Sequence, residues 1–198
     1  MENQTKQVIP VMIYTEATPN PATLKFVVNR PLLVNDFVDF QKVEEAEEAP
    51  LIKEIFSLGN INNVFISQNF ITVTKAEASM WAELMLPIKE VMKQYLDEGK
   101  PIFSEQFKKP TQASNEINID DSDIDAKIKG VLDKYVKPAV EMDGGAISFV
   151  SFEDGVLKLA LQGSCSGCPS STVTLKQGIE NLMKRMVPEV VTVESIAE

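Results

Sequence analysis

The chain contains no histidine and only two cysteines among its 198 residues. The missing imidazole removes the commonest general base, and it leaves no histidine to complete a metal site. No Ser/His/Asp set is therefore possible. No phosphate-cradling glycine loop and no convincing acid/base pair of carboxylates is present either, so the chain is not expected to be an enzyme. Two cysteines close together cannot staple distant parts of a fold, which fits a reducing compartment. No run approaches the roughly 20 apolar residues of a membrane span. Basic residues are in deficit, with 19 Lys and Arg against 29 Asp and Glu and a formal net charge of -10. Neither nucleic acid nor an anionic membrane is expected as the main partner. The opening residues Met1 to Lys6 show neither the apolar core of a signal peptide nor an Arg-rich presequence pattern, and a cytoplasmic location is expected.

Against these absences stands one dense stretch, Gly163 to Leu175, reading GSCSGCPSSTVTL. Both cysteines, Cys165 and Cys168, lie in its single C-x-x-C. A strand-like run, Val156 to Leu161, leads into it. A helix-like run leads out, with Val173, Ile179, Leu182, Met183 and Met186 at helical spacing. Pro169 or Ser170 is expected to open that helix. The thiols then lie at a helix N-terminus, where free N–H groups favour the thiolate. Gly163 and Gly167 are expected to let the backbone approach an inorganic core.

Two thiolates are half of a four-ligand site. Either two chains each supply one C-x-x-C, as in a two-fold dimer, or the pair is a dithiol with no metal. Residue types alone leave three readings open. These are an iron–sulfur cluster, a dimer-bridging structural zinc site, and a dithiol/disulfide oxidoreductase using Cys165 and Cys168. Ser164 stands where thioredoxin-like motifs carry tryptophan.

The hydrophobic share of 44% fits globular domains, and the length allows one ordinary domain or two small ones. Val8 to Tyr14 reads as an edge strand, and Thr18-Pro19-Asn20-Pro21 as a forced turn. Leu24, Phe26 and Val28 alternate with Lys25, Val27 and Asn29 in a half-buried strand. Pro31 to Ala49 gives no clear element, and its glutamates read as a solvated run. A short helix follows from Pro50. Val64 to Ser67 and Phe70 to Lys75 form a hairpin through Gln68-Asn69. Ser79 is the expected N-cap of a helix bearing Trp81, Leu84, Ile88, Val91, Met92 and Tyr95, kinked or broken at Pro87.

Lys108 to Asp121 reads as a linker mobile enough to let the halves move independently. Ser122 and Asp125 imitate a capping box for a helix bearing Ile124, Ile128, Val131, Leu132 and Tyr135, which stops before Pro138. A glycine turn at Gly144-Gly145, with Asp143 capping backbone donors, opens a strand from Ala146 to Phe152. Asp154-Gly155 is a hairpin turn. With the cysteine loop, its helix and a strand from Val190 to Glu194, the second half is an α-β-β-α-β module. The fold class is α+β, in two small domains spanning 1–107 and 122–198 with a linker at 108–121.

An ordered set of motifs in the second half carries a resemblance. Met142-Asp143-Gly144-Gly145, Phe152-Glu153-Asp154-Gly155, Leu161 through Leu175 and Pro188-Glu189-Val190 resemble the C-terminal domain of NifU-like (Nfu) iron–sulfur proteins. Ala146 departs from the acidic residue frequent there. Thr18 through Phe26, Phe70 through Lys75 and Trp81 resemble the N-terminal domain of the same family. The resemblance implies that Cys165 and Cys168 of two subunits hold a [4Fe–4S] cluster between them. It also implies a scaffold or carrier that becomes a homodimer on cluster binding. Such a carrier receives its cluster from an upstream iron–sulfur assembly protein and passes it to client apoproteins.

Overall fold

Alternating apolar residues and short turns build the first half as one antiparallel sheet packed on helices. The computed structural model describes residues 10–34, 36–109, 115–118, 122–166 and 169–196, with only the backbone for 169–172. Strands β1 (Ile13–Ala17), β2 (Thr23–Val28), β3 (Phe37–Phe40), β4 (Ile61–Ser67) and β5 (Phe70–Lys75) assemble in the order β1-β2-β5-β4-β3. The β4–β5 hairpin turns through Gln68-Asn69 as expected, pairing Ser67 with Phe70. Helices α1 (Pro50–Ser57) and α2 (Trp81–Asp97) cover one face. Phe26, Val28, Ile71, Val73, Val64 and Ile66 bury themselves against Leu51, Ile52, Ile55, Ile88 and Met92.

Several local expectations shift by a few residues or fail. The first strand starts at Ile13, and residues 1–9 lie outside the described residues. β3 forms inside Pro31–Ala49, where four residues were too short a run to stand out. Met80, not Ser79, is the N-cap of α2, and it makes no side-chain cap bond. The helix continues through Pro87 as one element. The N–H that Pro87 lacks would have reached the carbonyl of Glu83, whose residue is exposed to water.

The second half has the expected order of elements. Helix α3 (Asp123–Val131) opens with the full reciprocal capping box of Ser122 and Asp125. It does not stop before Pro138. A π-helical segment, Leu132–Val136, relays it into α4 (Lys137–Met142), which takes Pro138 in its first turn. The wider turn slips the helical register by about one residue. Val136 and Val140 therefore enter the core, while Tyr135, expected there, faces solvent. Strands β6 (Gly145–Glu153) and β7 (Val156–Gly163) form a hairpin whose turn residues Asp154 and Gly155 both have positive φ (49° and 80°). Helix α5 (Pro169–Met186) then carries the chain to β8 (Thr192–Ile196), which pairs with β7 in parallel. Ile128, Leu132, Ile147, Leu157, Leu159, Ile179, Met183 and Val193 form this core. Val173 and Met186, expected on its apolar face, are exposed.

The strand at 23–28 is not half-buried. Its second face, with those of β5 and β4, is covered by the start of β6 and the end of β7. Val27, Phe65 and Phe70 pack with Ala146, and Phe37 stacks on Phe65 at 5.6 Å. Lys25 Nζ donates to the carbonyls of Glu141 and Met142 at the C-terminal end of α4, both at 3.1 Å. It also pairs with Glu16 at 3.1 Å and lies 4.5 Å from the centre of the Phe70 ring.

The linker expectation changes as well. Residues 110–114 and 119–121 lie outside the described residues, but the stretch between them is tied to the second half. Asn115 accepts from the Phe149 N–H (2.7 Å) and donates to the Ile147 carbonyl (3.1 Å), while Lys129 Nζ donates to the Glu116 carbonyl (2.9 Å). The halves also touch directly, through Val27, Phe65 and Phe70 against Ala146 and through Lys25 on the end of α4. Among the described residues, no helix is long and apolar enough to cross a membrane.

Candidate functional site

The cysteine loop begins where β7 ends. Gly163 takes a positive φ of 65°, which turns the chain out of the strand. Ser164 follows, almost fully buried and hydrogen-bonded on every side. Its N–H donates to the Gly144 carbonyl at 3.2 Å, and its hydroxyl donates to the Asp143 carbonyl. Its own carbonyl accepts from Asn20 Nδ2 at 3.2 Å. Cys165 comes next, a residue buried to 6% exposure, with its thiol 3.9 Å from Ser164 Oγ. Ser166 closes the turn by donating both its N–H and its hydroxyl to the Gly163 carbonyl, at 3.1 Å each. Helix α5 then starts at Pro169, as the sequence predicts.

Cys168, the other expected ligand, and Gly167 lie outside the described residues. Cys165 is placed at the junction of strand, loop and helix where the sequence puts it. The Ser164 and Ser166 hydroxyls hydrogen-bond within the loop and its floor. The side chains of Ser170, Ser171 and Thr172 lie outside the described residues.

The Gly144-Gly145 pair is the floor of this loop. A Cβ on Gly145 would stand 2.6 Å from the Gln162 carbonyl oxygen and 3.0 Å from Cys165 Sγ. Only glycine lets the loop settle this low. Asp143 differs from expectation, since its exposed carboxylate takes no hydrogen bond among the described residues. Its backbone carbonyl, which receives Ser164, is the part in use. Gly163 also differs. The space left by its missing side chain is taken by the Gly144 carbonyl oxygen and by Phe65 Cγ, 2.8 and 2.9 Å from an added Cβ. It serves packing between the halves, not approach to an inorganic core.

Two residues at the site escaped the sequence reading in that role. Asn20, read as part of a turn that aims β2, reaches across to the residue before Cys165. Thr72, on the central strand β5, donates to the Gly144 carbonyl at 2.7 Å. Neither role has a local signal, because each bond joins residues far apart in the chain.

Near the floor, Glu141 accepts from Gln68 Nε2 at 3.2 Å. Burial holds its carboxyl above the usual range, with Asp133 adding to the effect and Lys137, Gln68 and Lys25 opposing it.

A chain of two packed α+β modules, the second carrying a paired-cysteine loop at a helix start, defines the class. Residues 128–194 match the NifU-like domain, and residues 13–99 match the N-terminal domain of the scaffold protein Nfu/NifU. The chain belongs to the NifU-like (Nfu) family. It is 39% identical over 186 residues to NifU-like protein 4, mitochondrial, of Arabidopsis thaliana, covering 93% of this chain and 65% of that protein. It is 36% identical over 189 residues to the human NFU1 iron-sulfur cluster scaffold homolog, mitochondrial, covering 95% of this chain and 73% of that protein. The chain thus spans about two thirds of the length of these relatives. A solution NMR structure of a NifU-like protein from Saccharomyces cerevisiae matches 54% of the chain and 95% of its own, at 18% identity and a TM-score of 0.45.

These relatives overturn the cytoplasmic expectation, because both are named as mitochondrial proteins. The cysteine argument required only a compartment that keeps thiols reduced, and that condition does not single out the cytoplasm.

Proposed function

We propose that the chain is an iron–sulfur cluster scaffold and carrier. Its cargo is a [4Fe–4S] cluster held between two subunits by Cys165 and Cys168 of each. The observation that carries this reading is the position of Cys165. It sits on a two-glycine floor at the end of β7, in a C-x-x-C that runs directly into α5, within a chain whose two halves both match this family. The name of the human relative, an iron-sulfur cluster scaffold homolog, supports the same cargo. One subunit brings two thiolates and no imidazole, so two subunits complete one ligand per iron.

Delivery is then ligand exchange. A cysteine thiol of a client apoprotein gives up its proton and forms one Fe–S bond as one bond to Cys165 or Cys168 breaks. The proton of the client thiol passes to the departing cysteine, and no electron is gained or lost. An upstream iron–sulfur assembly protein supplies the cluster by the same exchange in reverse. Nothing in this cycle needs a general base, and the chain is not an enzyme in this reading. Iron and acid-labile sulfide analysis after anaerobic reconstitution tests it, using wild type, Cys165→Ser and Cys168→Ser. Wild type is expected to hold iron and sulfide in equal amounts, and both variants to hold neither stably. A colourless wild type with disulfide-reductase activity would move the assignment to the dithiol oxidoreductase.

A further inference from the structure

The cysteine loop is held from two sides, and one of those sides belongs to the first module. Asn20 Nδ2 donates to the Ser164 carbonyl, the peptide group that joins Ser164 to Cys165. Asn20 is itself fixed. Its Oδ1 accepts from the Ala22 N–H (3.0 Å), and its carbonyl accepts from the Thr23 N–H (3.0 Å), the Thr23 hydroxyl (3.1 Å) and the Thr18 hydroxyl (2.9 Å). The adjoining Pro21 carbonyl accepts from Trp81 Nε1 at 3.1 Å, which ties the turn to α2. Thr72 approaches from beneath. Its hydroxyl and the Ser164 N–H share the Gly144 carbonyl, so floor and loop are locked by one acceptor. Asn20 and Thr72 are both almost fully buried. Both bonds are buried, so losing that of Asn20 takes a donor from the Ser164 carbonyl, and losing that of Thr72 leaves the Gly144 carbonyl to the Ser164 N–H.

We infer that Asn20 and Thr72 are positioning residues for Cys165, so that the first module, which has no cysteine of its own, helps to set the ligand loop. The inference rests on the reading of Cys165 as a cluster ligand, but its test does not need a cluster. Loss of either bond lets the loop lift from its floor more often and exposes the thiol.

The test is the alkylation rate of Cys165 by iodoacetamide in cluster-free, reduced, full-length protein, assigned to that cysteine by fragment mass spectrometry. Asn20→Asp keeps the acceptor that the turn needs but turns an oxygen on the Ser164 carbonyl. Thr72→Val keeps the shape of threonine without its hydroxyl, and Thr72→Ser keeps the hydroxyl. Asn20→Asp and Thr72→Val are each expected to speed alkylation by on the order of fivefold, the shift in an opening equilibrium when one buried hydrogen bond is lost. Thr72→Ser is expected to stay near the wild-type rate. Hydrogen exchange in α1 and α2 should be unchanged, which separates a lifted loop from a loosened fold.

Equal Cys165 rates in wild type, Asn20→Asp and Thr72→Val overturn the inference, and so do equal rates in Thr72→Val and Thr72→Ser. If Thr72→Val loosens the helices too, Asn20→Asp alone decides. Wild type that takes up no iron defeats the cluster reading and leaves the alkylation result standing by itself.

Discussion

Replacing Gly163 by alanine puts a methyl group against Phe65 of the first module and the glycine floor of the second. Two effects add. Gly163 has a φ of +65°, and a side chain in that conformation costs about 1 kcal/mol. The new methyl carbon would stand 2.8 Å from the Gly144 carbonyl oxygen, 2.9 Å from Phe65 Cγ and 3.0 Å from Gly145 Cα. Two of those three atoms are backbone and Phe65 is fully buried, so the overpacking adds about 1–3 kcal/mol. The sum is a loss of about 2–4 kcal/mol. Gly99 provides the internal control, with a φ of +67° and no atom within 4 Å of an added Cβ. Gly99→Ala is therefore expected to cost only the conformational part, about 1 kcal/mol. Urea titration of both variants gives the difference, which isolates the crowding. Phe65→Ala in the Gly163→Ala background should recover part of it, as a favourable coupling of about 0.5–3 kcal/mol. Equal losses in the two alanine variants, with no coupling to Phe65, would refute the packing of the first sheet on the cysteine loop.

Lys25→Met removes the donor of the Glu141 and Met142 carbonyls and is expected to cost about 1–3 kcal/mol in a urea titration, because two hydrogen bonds from a charged donor are lost. It should also speed trypsin cleavage between the modules, and an unchanged cleavage rate would contradict the anchoring role. Two glutamates give opposite pH signatures. Burial raises the Glu141 carboxyl, against Lys137, Lys25 and Gln68 and with Asp133, so its contribution is fullest below the ordinary glutamate range and is lost as pH rises through the raised value. Glu141→Gln should therefore stabilise the protein at neutral pH, with an advantage that fades in acid. The Glu180 carboxyl is lowered, first by its hydrogen bond from Lys184 and then by that from the Val193 N–H, so its contribution is present above the ordinary range and lost as pH falls through the lowered value. Glu180→Gln should weaken the attachment of β8 at neutral pH and approach wild type in acid, as followed by denaturation midpoints across pH.

Much of the fold was written in short-range chemistry. The Ser122–Asp125 capping box, the Asp154-Gly155 turn, the Gln68-Asn69 hairpin and the start of α5 at Pro169 each depend on a few adjacent residues, and each formed where expected. What stayed hidden depended on distant partners. Lys25 reads as a solvent-facing residue until the end of α4 arrives to accept two hydrogen bonds from it, and Asn20 reads as a turn residue until Ser164 lies beside it. One signal was available. Val64, Phe65 and Ile66 are consecutive apolar residues on one strand, a pattern of burial on both faces rather than one. The π-segment at Leu132–Val136 was not legible, because Tyr135 and Val136 suit a helix face equally well and Pro138 alone reads as a stop. At the site, Cys165 was plain from its motif, whereas Ser164, Gly144 and Thr72 acquire their roles only through contact across the fold.

The shared-ligand claim is tested most directly by light scattering on the protein before and after anaerobic cluster loading, in buffer free of small thiols. Loading is expected to drive dimer formation, with one cluster per two chains, and a chelator to reverse it, since binding to the paired state alone pulls the equilibrium towards it. Cys165→Ser should give no cluster-linked dimer. A monomer that carries a stable cluster under those conditions would contradict the mechanism.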